Sequence, residues 1–221
     1  NAEGIYTPTY GNYIIKASKP GYRCFRGKLT IADGAEGEQT CIIEMVKAGE
    51  NGWDGTTLAE PELKDDVYQI TSGAELAWFA AKVNGGDYSI SGKLMNDIDL
   101  CAYDWTPIGG NKSKSAYQGT FEGDGHTIEG LYINNTQTYQ ALFGYTTNSH
   151  ISGITVNGEV NAKQYVAGVV AYMGPKVTVD RCINKAQITG TSTYVGGVTG
   201  SVSQATSTLT NSYNLGDIKG T

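Results

Sequence analysis

Apolar and polar residues alternate over short runs through most of this chain, and one stretch departs from that period of two. From Tyr88 onward the runs are separated by turns rich in Gly, Asn and Asp. Alternation bounded by such turns predicts strands, including Lys93–Leu100, Trp105–Gly109, Tyr117–His126 and Thr127–Ile133. The exception follows Ser72-Gly-Ala-Glu75, where Leu76, Phe79, Ala80 and Val83 fall at helical spacing. Ser72 and Glu75 form a capping box, the Ser taking the N3 amide and the Glu reaching back to the cap. Asn84-Gly-Gly86 ends this helix.

Three stretches nearly repeat one another: Tyr139-Gln-Ala-Leu-Phe-Gly144, Tyr165-Val-Ala-Gly-Val-Val170 and Tyr194-Val-Gly-Gly-Val-Thr199. Each is followed by a similar closing segment, at Val156–Val160, Asn184–Ile188 and Asn214–Ile218. A unit of under about thirty residues cannot shield its own apolar side chains, so each must stack on its neighbours. The chain therefore reads as all-β, a parallel β-helix from 68 to 221 whose apolar end is covered by the helix after Ser72. Stacking aligns equivalent positions. Asn157, Asn184 and Asn214 are expected to form an internal amide ladder. Tyr139, Tyr165 and Tyr194 are expected to line up about 4.8 Å apart, the spacing of paired strands, as candidate ligand-binding residues or as packing. The face they occupy is left open by the alternation.

Residues 1–48 form a separate small unit with strands expected at 12–17, 23–31 and 39–46. Three strands make a marginal sheet unless something covers it. Residues 49–67, with Gly, Asp, Glu and Pro clustered around Trp53, read as a linker anchored by that ring. The end at Thr221, straight after a complete coil, suggests a fragment of a longer modular protein.

Composition narrows the function. Of 221 residues 30 are Gly, 15 are Tyr and only 17% are charged, as suits a turn-rich β protein. A net charge of −6 without a Lys/Arg cluster argues against nucleic acid, and no apolar run approaches a membrane span. Cys24, Cys41, Cys101 and Cys182 lack metal-binding spacing. Cys24 and Cys41 flank one expected hairpin and could pair; Cys101 and Cys182 read as buried thiols.

The run Gly11-x-Tyr-x-Ile-x-Ala-x-Lys-x-Gly-Tyr22 resembles carboxypeptidase-regulatory-like and Cna-B-like β-sandwich modules, of which only a part would be present. Residues 66–220 resemble GLUG-repeat bacterial surface proteins, including the N-terminal β-helix of IgA-specific metallopeptidases. The resemblance is carried by Tyr68-Gln-Ile with Ala74–Ala80, Asp97-Ile-Asp-Leu100, Trp105-Thr-Pro-Ile-Gly109, Gly119–Ile128 and the three repeats. It implies a right-handed parallel β-helix on an exported, extracellular protein. The zinc motif His-Glu-x-x-His is absent, so peptidase activity does not carry over.

Catalytic residues, metal and cofactor are each expected to be none. Asp97 and Asp99, two apart on a strand, share a face and with Asp104, Glu122 and Asp124 could bind calcium or flank a sugar; the same residues also fold turns, the simpler reading. His126 follows a Gly-Asp-Gly turn and is expected to donate to backbone. The reading is a non-enzymatic stalk and adhesion module presenting a rigid rod to a host glycan or protein. The alternatives are an accessory region of a secreted peptidase or polysaccharide-active enzyme, or a filament subunit touching other copies.

Overall fold

In the computed structural model, residues 11–19, 21–32, 43–49 and 52–220 are described. Six parallel strands stack into one sheet: Val67–Ile70, Ser91–Leu94, Thr120–Glu122, His150–Ser152, Thr178–Asp180 and Thr208–Thr210. Glu62–Lys64 adds an antiparallel edge strand beside Val67–Ile70. A second sheet stacks Ile98–Asp99, Thr127–Asn134 and Thr155–Ala162, then the broken strands Ile183–Asn184 with Gln187–Gly190 and Tyr213–Asn214 with Ile218–Gly220. A third stacks Phe143–Thr146, Val170–Met173 and Thr199–Val202. The fully formed coils pass through the three sheets in the same order, so the chain is a β-solenoid of six rungs.

The winding follows from what each rung must hide. Inward positions stack in register: Phe121 on Ile151, Ile151 on Val179, Val179 on Leu209. On the second sheet Ile98, Ile128 and Val156 stack likewise, as do Ile133, Val160, Ile188 and Ile218. Phe121, Ile151, Val179, Ile128, Val156 and Val160 are fully buried. At roughly 1.5–3 kcal/mol for each buried aliphatic or aromatic side chain, these ladders supply the main driving force, offset largely by chain entropy.

The helix, α1 (Gly73–Asn84), matches the expected span. Ser72 Oγ accepts from the Glu75 N–H at 3.3 Å. Glu75 reaches one residue further back than a capping box requires, accepting from the Thr71 N–H at 2.5 Å and its hydroxyl at 2.8 Å. The Gly85 N–H closes the end on Ala81 O and Lys82 O. Leu76, Phe79 and Val83 are fully buried. Phe79 lies edge-on to Phe121 at 5.5 Å and Tyr117 at 6.1 Å. Gly92 leaves that space, since a Cβ there would stand 3.0 Å from the Phe79 ring.

Among the described residues the N-terminal unit has two strands. Gly11–Ala17 and Phe25–Ile31 form a two-stranded antiparallel pair. Residues 33–42 lie outside the described residues, so the third strand expected at 39–46 is described only from 43, where the chain forms no strand and makes one bridge, Lys47 to Tyr22. Two strands cannot bury a face between them, and this pair leans on the solenoid. Arg23 pairs with Asp99 at 2.5 Å, and Lys16 and Arg26 pair with Asp104 at 2.6 and 2.9 Å. The Arg26 guanidinium lies over the Tyr132 ring at 3.5 Å, and the Cys24 N–H donates to Cys101 O.

Trp53 is buried, as an anchor should be. It lies edge-on to Trp105 at 5.9 Å and Tyr103 at 6.3 Å, and its Nε1–H donates to Thr57 O. Cys24, Cys101 and Cys182 are buried free thiols, while Cys41 lies outside the described residues. Burial pushes Cys101 up to about 12 and Cys182 to about 11, which keeps both as thiols.

Truncating Ile151 to Ala should lower unfolding free energy by about 2–5 kcal/mol in urea titration. Ile14→Ala, at a side chain 81% exposed, should change it by under about 0.5 kcal/mol.

Candidate functional site

The three tyrosines of the repeats meet in one stacked column. Tyr139 and Tyr165 rings lie 4.6 Å apart and 6° from parallel; Tyr165 and Tyr194 lie 4.6 Å apart and 2° from parallel. The local cause is backbone. Each tyrosine sits where the chain turns from the second sheet toward the third, with φ of 62°, 54° and 66°. This left-handed region is disfavoured for a bulky side chain and costs of order 1–3 kcal/mol. One such residue breaks strand alternation, which is why counting parity along these strands could not assign a face.

What holds the strained turns is the packing beneath and beside them. Ala141, Ala167 and Ala171 form a buried floor of small residues under Tyr139 and Tyr165. Tyr145 and Tyr172, paired in register on the third sheet, lie 4.4 Å apart and close the flank. Tyr172 presents its ring edge-on to Tyr139 at 5.6 Å and to Tyr165 at 5.3 Å. Such aromatic contacts are each worth about 0.5–1.5 kcal/mol beyond their burial. Tyr145 and Tyr172 were not picked out from sequence, because they follow their repeat tyrosines at unequal intervals. Burial first, then the hydrogen bond with Tyr172, pushes Tyr145 up to about 12. Burial also raises Tyr139, helped by the Tyr165 and Tyr172 phenols.

Stacking decides which ring surfaces a ligand can reach. Tyr165 has a ring on each face. Tyr139 and Tyr194 each keep one face uncovered by another ring of the column, and Tyr194 is 52% exposed.

The asparagine ladder runs over two rungs, not three. Asn184 is fully buried; its Nδ2 donates to Asn214 Oδ1 at 2.6 Å and to Ala186 O at 3.0 Å, and its Oδ1 accepts from the Ala186 N–H at 3.1 Å. Asn157 is displaced by one position. Register pairs Asn184 with Val156, and Asn157 instead donates to Glu129 Oε2 at 2.8 Å. A glycine makes room for each ladder amide. A Cβ on Gly168 would stand 1.9 Å from Asn184 Oδ1, and one on Gly197 would stand 2.3 Å from Asn214 Oδ1. One rung earlier the position paired with Asn184 is the fully buried aliphatic Val156.

The acidic candidates do not converge. Asp97 Oδ1 accepts from the Thr127 N–H at 2.8 Å and lies 3.2 Å from His126 Nδ1; these contacts, with the Thr127 amide foremost, lower its pKa. His126 thus meets a carboxylate rather than the backbone oxygen expected. Asp99 pairs with Arg23, Asp104 with Lys16 and Arg26, and Asp124 with Lys93. Asp97 thus holds a turn and Asp99, Asp104 and Asp124 each sit in an ion pair, while Glu122 is exposed. Among the described residues no three His, Cys, Asp or Glu side chains gather to hold a metal ion, and no helix there is long and apolar enough to cross a membrane.

Asn184→Ala strands the buried Ala186 N–H and should cost about 1–3 kcal/mol, whereas Asn157→Ala should fall within about 0.5 kcal/mol. Both are read by chemical denaturation. The raised tyrosines predict alkaline lability. Their stabilising effect is complete below the ordinary phenol pKa of about 10 and is lost as pH rises through about 12. Phenolate absorbance should therefore show a late-titrating fraction, and Tyr145→Phe should shrink it.

No protein-family model matches the sequence, and no curated protein matches it. A crystal structure described as "a putative immunoglobulin A1 protease from Bacteroides ovatus" is similar in fold, with a TM-score of 0.52 and 16% identity. The likeness covers 72% of this chain and 60% of that one, so this chain spans less than two thirds of the structure it resembles. At that identity the likeness is one of fold.

Proposed function

We propose that this chain is a non-enzymatic stalk and adhesion module of an exported bacterial surface protein, built on a GLUG-type right-handed β-helix. In this reading α1 is the lid of the first rungs, and residues 11–48 belong to a carboxypeptidase-regulatory-like or Cna-B-like unit resting on the rod. The observation that carries the reading is the stacked tyrosine column. An aromatic surface built at the cost of three strained turns, on a rod stiffened by rung-to-rung hydrogen bonds, suits presentation of a lateral surface to a host glycan or protein. Bacterial origin and an extracellular location belong to the same proposal and rest on the sequence resemblance.

The fold likeness to a protein described as a protease favours a second reading, an accessory region of a secreted peptidase. A catalytic domain in the parent polypeptide would select it.

Beads coated with the 221-residue chain should be retained on surfaces bearing mucin or mixed glycans and resist detachment by flow. Absence of retention on every such surface, together with cleavage of an offered protein or polysaccharide, would overturn the adhesion reading.

A further inference from the structure

The tyrosine column has an open end that is also a groove. Tyr139 is stacked by Tyr165 on one face only. Together with Thr106, Pro107, Gly109 and Gly110 of the preceding rung, it lines a groove of about 320 Å³. That rung carries no tyrosine at the equivalent turn, so the column stops and the next ring position is left to the groove. The volume lies within the range of small-molecule sites.

The chemistry of the walls is selective. Asn111, Gln137 and Thr106 reach the groove with exposed side chains. The amides of Asn111 and Gln137 are engaged by no hydrogen bond with another described residue, so donors and acceptors are both on offer. None of the lining residues carries a charge at neutral pH. An aromatic face beside unengaged amides fits a molecule with one flat C–H face and a rim of hydroxyls. The ring's negative face attracts the partly positive C–H bonds, and the amides pair with the hydroxyls. An anionic sugar or a phosphate would find no cation there.

We infer that the groove beneath Tyr139 is a binding subsite for an uncharged pyranose, which takes the place of the next ring in the column. This deepens the adhesion reading and rests on it. The site lies at the column's end because the faces of Tyr165 are already occupied. A single monosaccharide of roughly a dozen heavy atoms should bind with about millimolar affinity, and retention of a glycan-coated surface would come from many copies acting together.

The test is an amide-resolved NMR titration of the full chain with the methyl glycosides of glucose, galactose and mannose. At least one should shift the Gly109 and Gly110 backbone amides and the Asn111 and Gln137 side-chain amides. Tyr139→Ala should weaken that binding about tenfold, the worth of one aromatic contact. The double variant Asn111→Ala/Gln137→Ala, confined to exposed side chains, should weaken it by a similar factor without perturbing the fold. Tyr213→Ala, at an exposed tyrosine of the last rung outside the column, should leave it unchanged. Shifts that map elsewhere, no shifts with any of the three, or equal response to phenol or methyl glucuronide would overturn the subsite. Bead retention that survives both the Tyr139 and the amide variants would overturn the subsite while leaving the adhesion reading in place. Loss of retention by the unaltered chain on every surface would instead fall on the adhesion reading itself.

Discussion

Parallel backbone pairing between successive rungs is the constraint on which everything else in this chain depends. The N–H and C=O groups of each inward-facing strand must be satisfied once buried, and here they find partners one coil away rather than across a hairpin. Pairing fixes register, and register puts like positions on top of one another. Phe121, Ile151, Val179 and Leu209 form a column for that reason. So do the tyrosines, whose 4.6 Å ring separation is close to the distance between paired strands.

That constraint also explains features that look costly in isolation. A tyrosine in the left-handed region is unfavourable by itself. Repeated at three successive turns, it places rings where each covers the next, and Ala141, Ala167 and Ala171 let them settle against the wall. The inward Asn184 would be a liability in an apolar core, yet each of its amide atoms has a partner, one of them supplied by Asn214. Gly168 and Gly197 are small because those amides occupy their side-chain space.

Much of this was legible from the residues. The repeat of Tyr-x-Ala/Gly-x-Val type gave the solenoid, and Ser72 with Leu76, Phe79 and Val83 gave the helix within a residue of its ends. Trp53 was recognisable as an anchor because a large ring among turn residues needs somewhere to pack. What escaped is a matter of alignment between rungs. Val156 pairs with Asn184 and Glu159 with Gln187, so the register between these two rungs is unbroken. Asn157 therefore lies one position past the ladder that Asn184 and Asn214 share, as alignment of Val156–Val160 with Asn184–Ile188 already indicates. Tyr145 and Tyr172 escaped because one extra residue enters between the pairs Gln140–Val166 and Phe143–Val170, so their distances from the repeat tyrosines differ by one. The N-terminal strands were placed correctly at 12–17 and nearly so at 23–31, but their partner surface is the solenoid, through Arg23, Arg26 and Lys16. Long-range ion pairs of that kind leave no local pattern.

The central claim is that rungs pair in parallel and in register, and NMR tests it most directly. Nuclear Overhauser contacts between backbone protons should link Phe121 to Ile151, Ile151 to Val179 and Val179 to Leu209, in the slanted pattern of parallel strands. Contacts in which these segments pair antiparallel with sequence neighbours would contradict the solenoid, and with it the tyrosine column and the groove at its end.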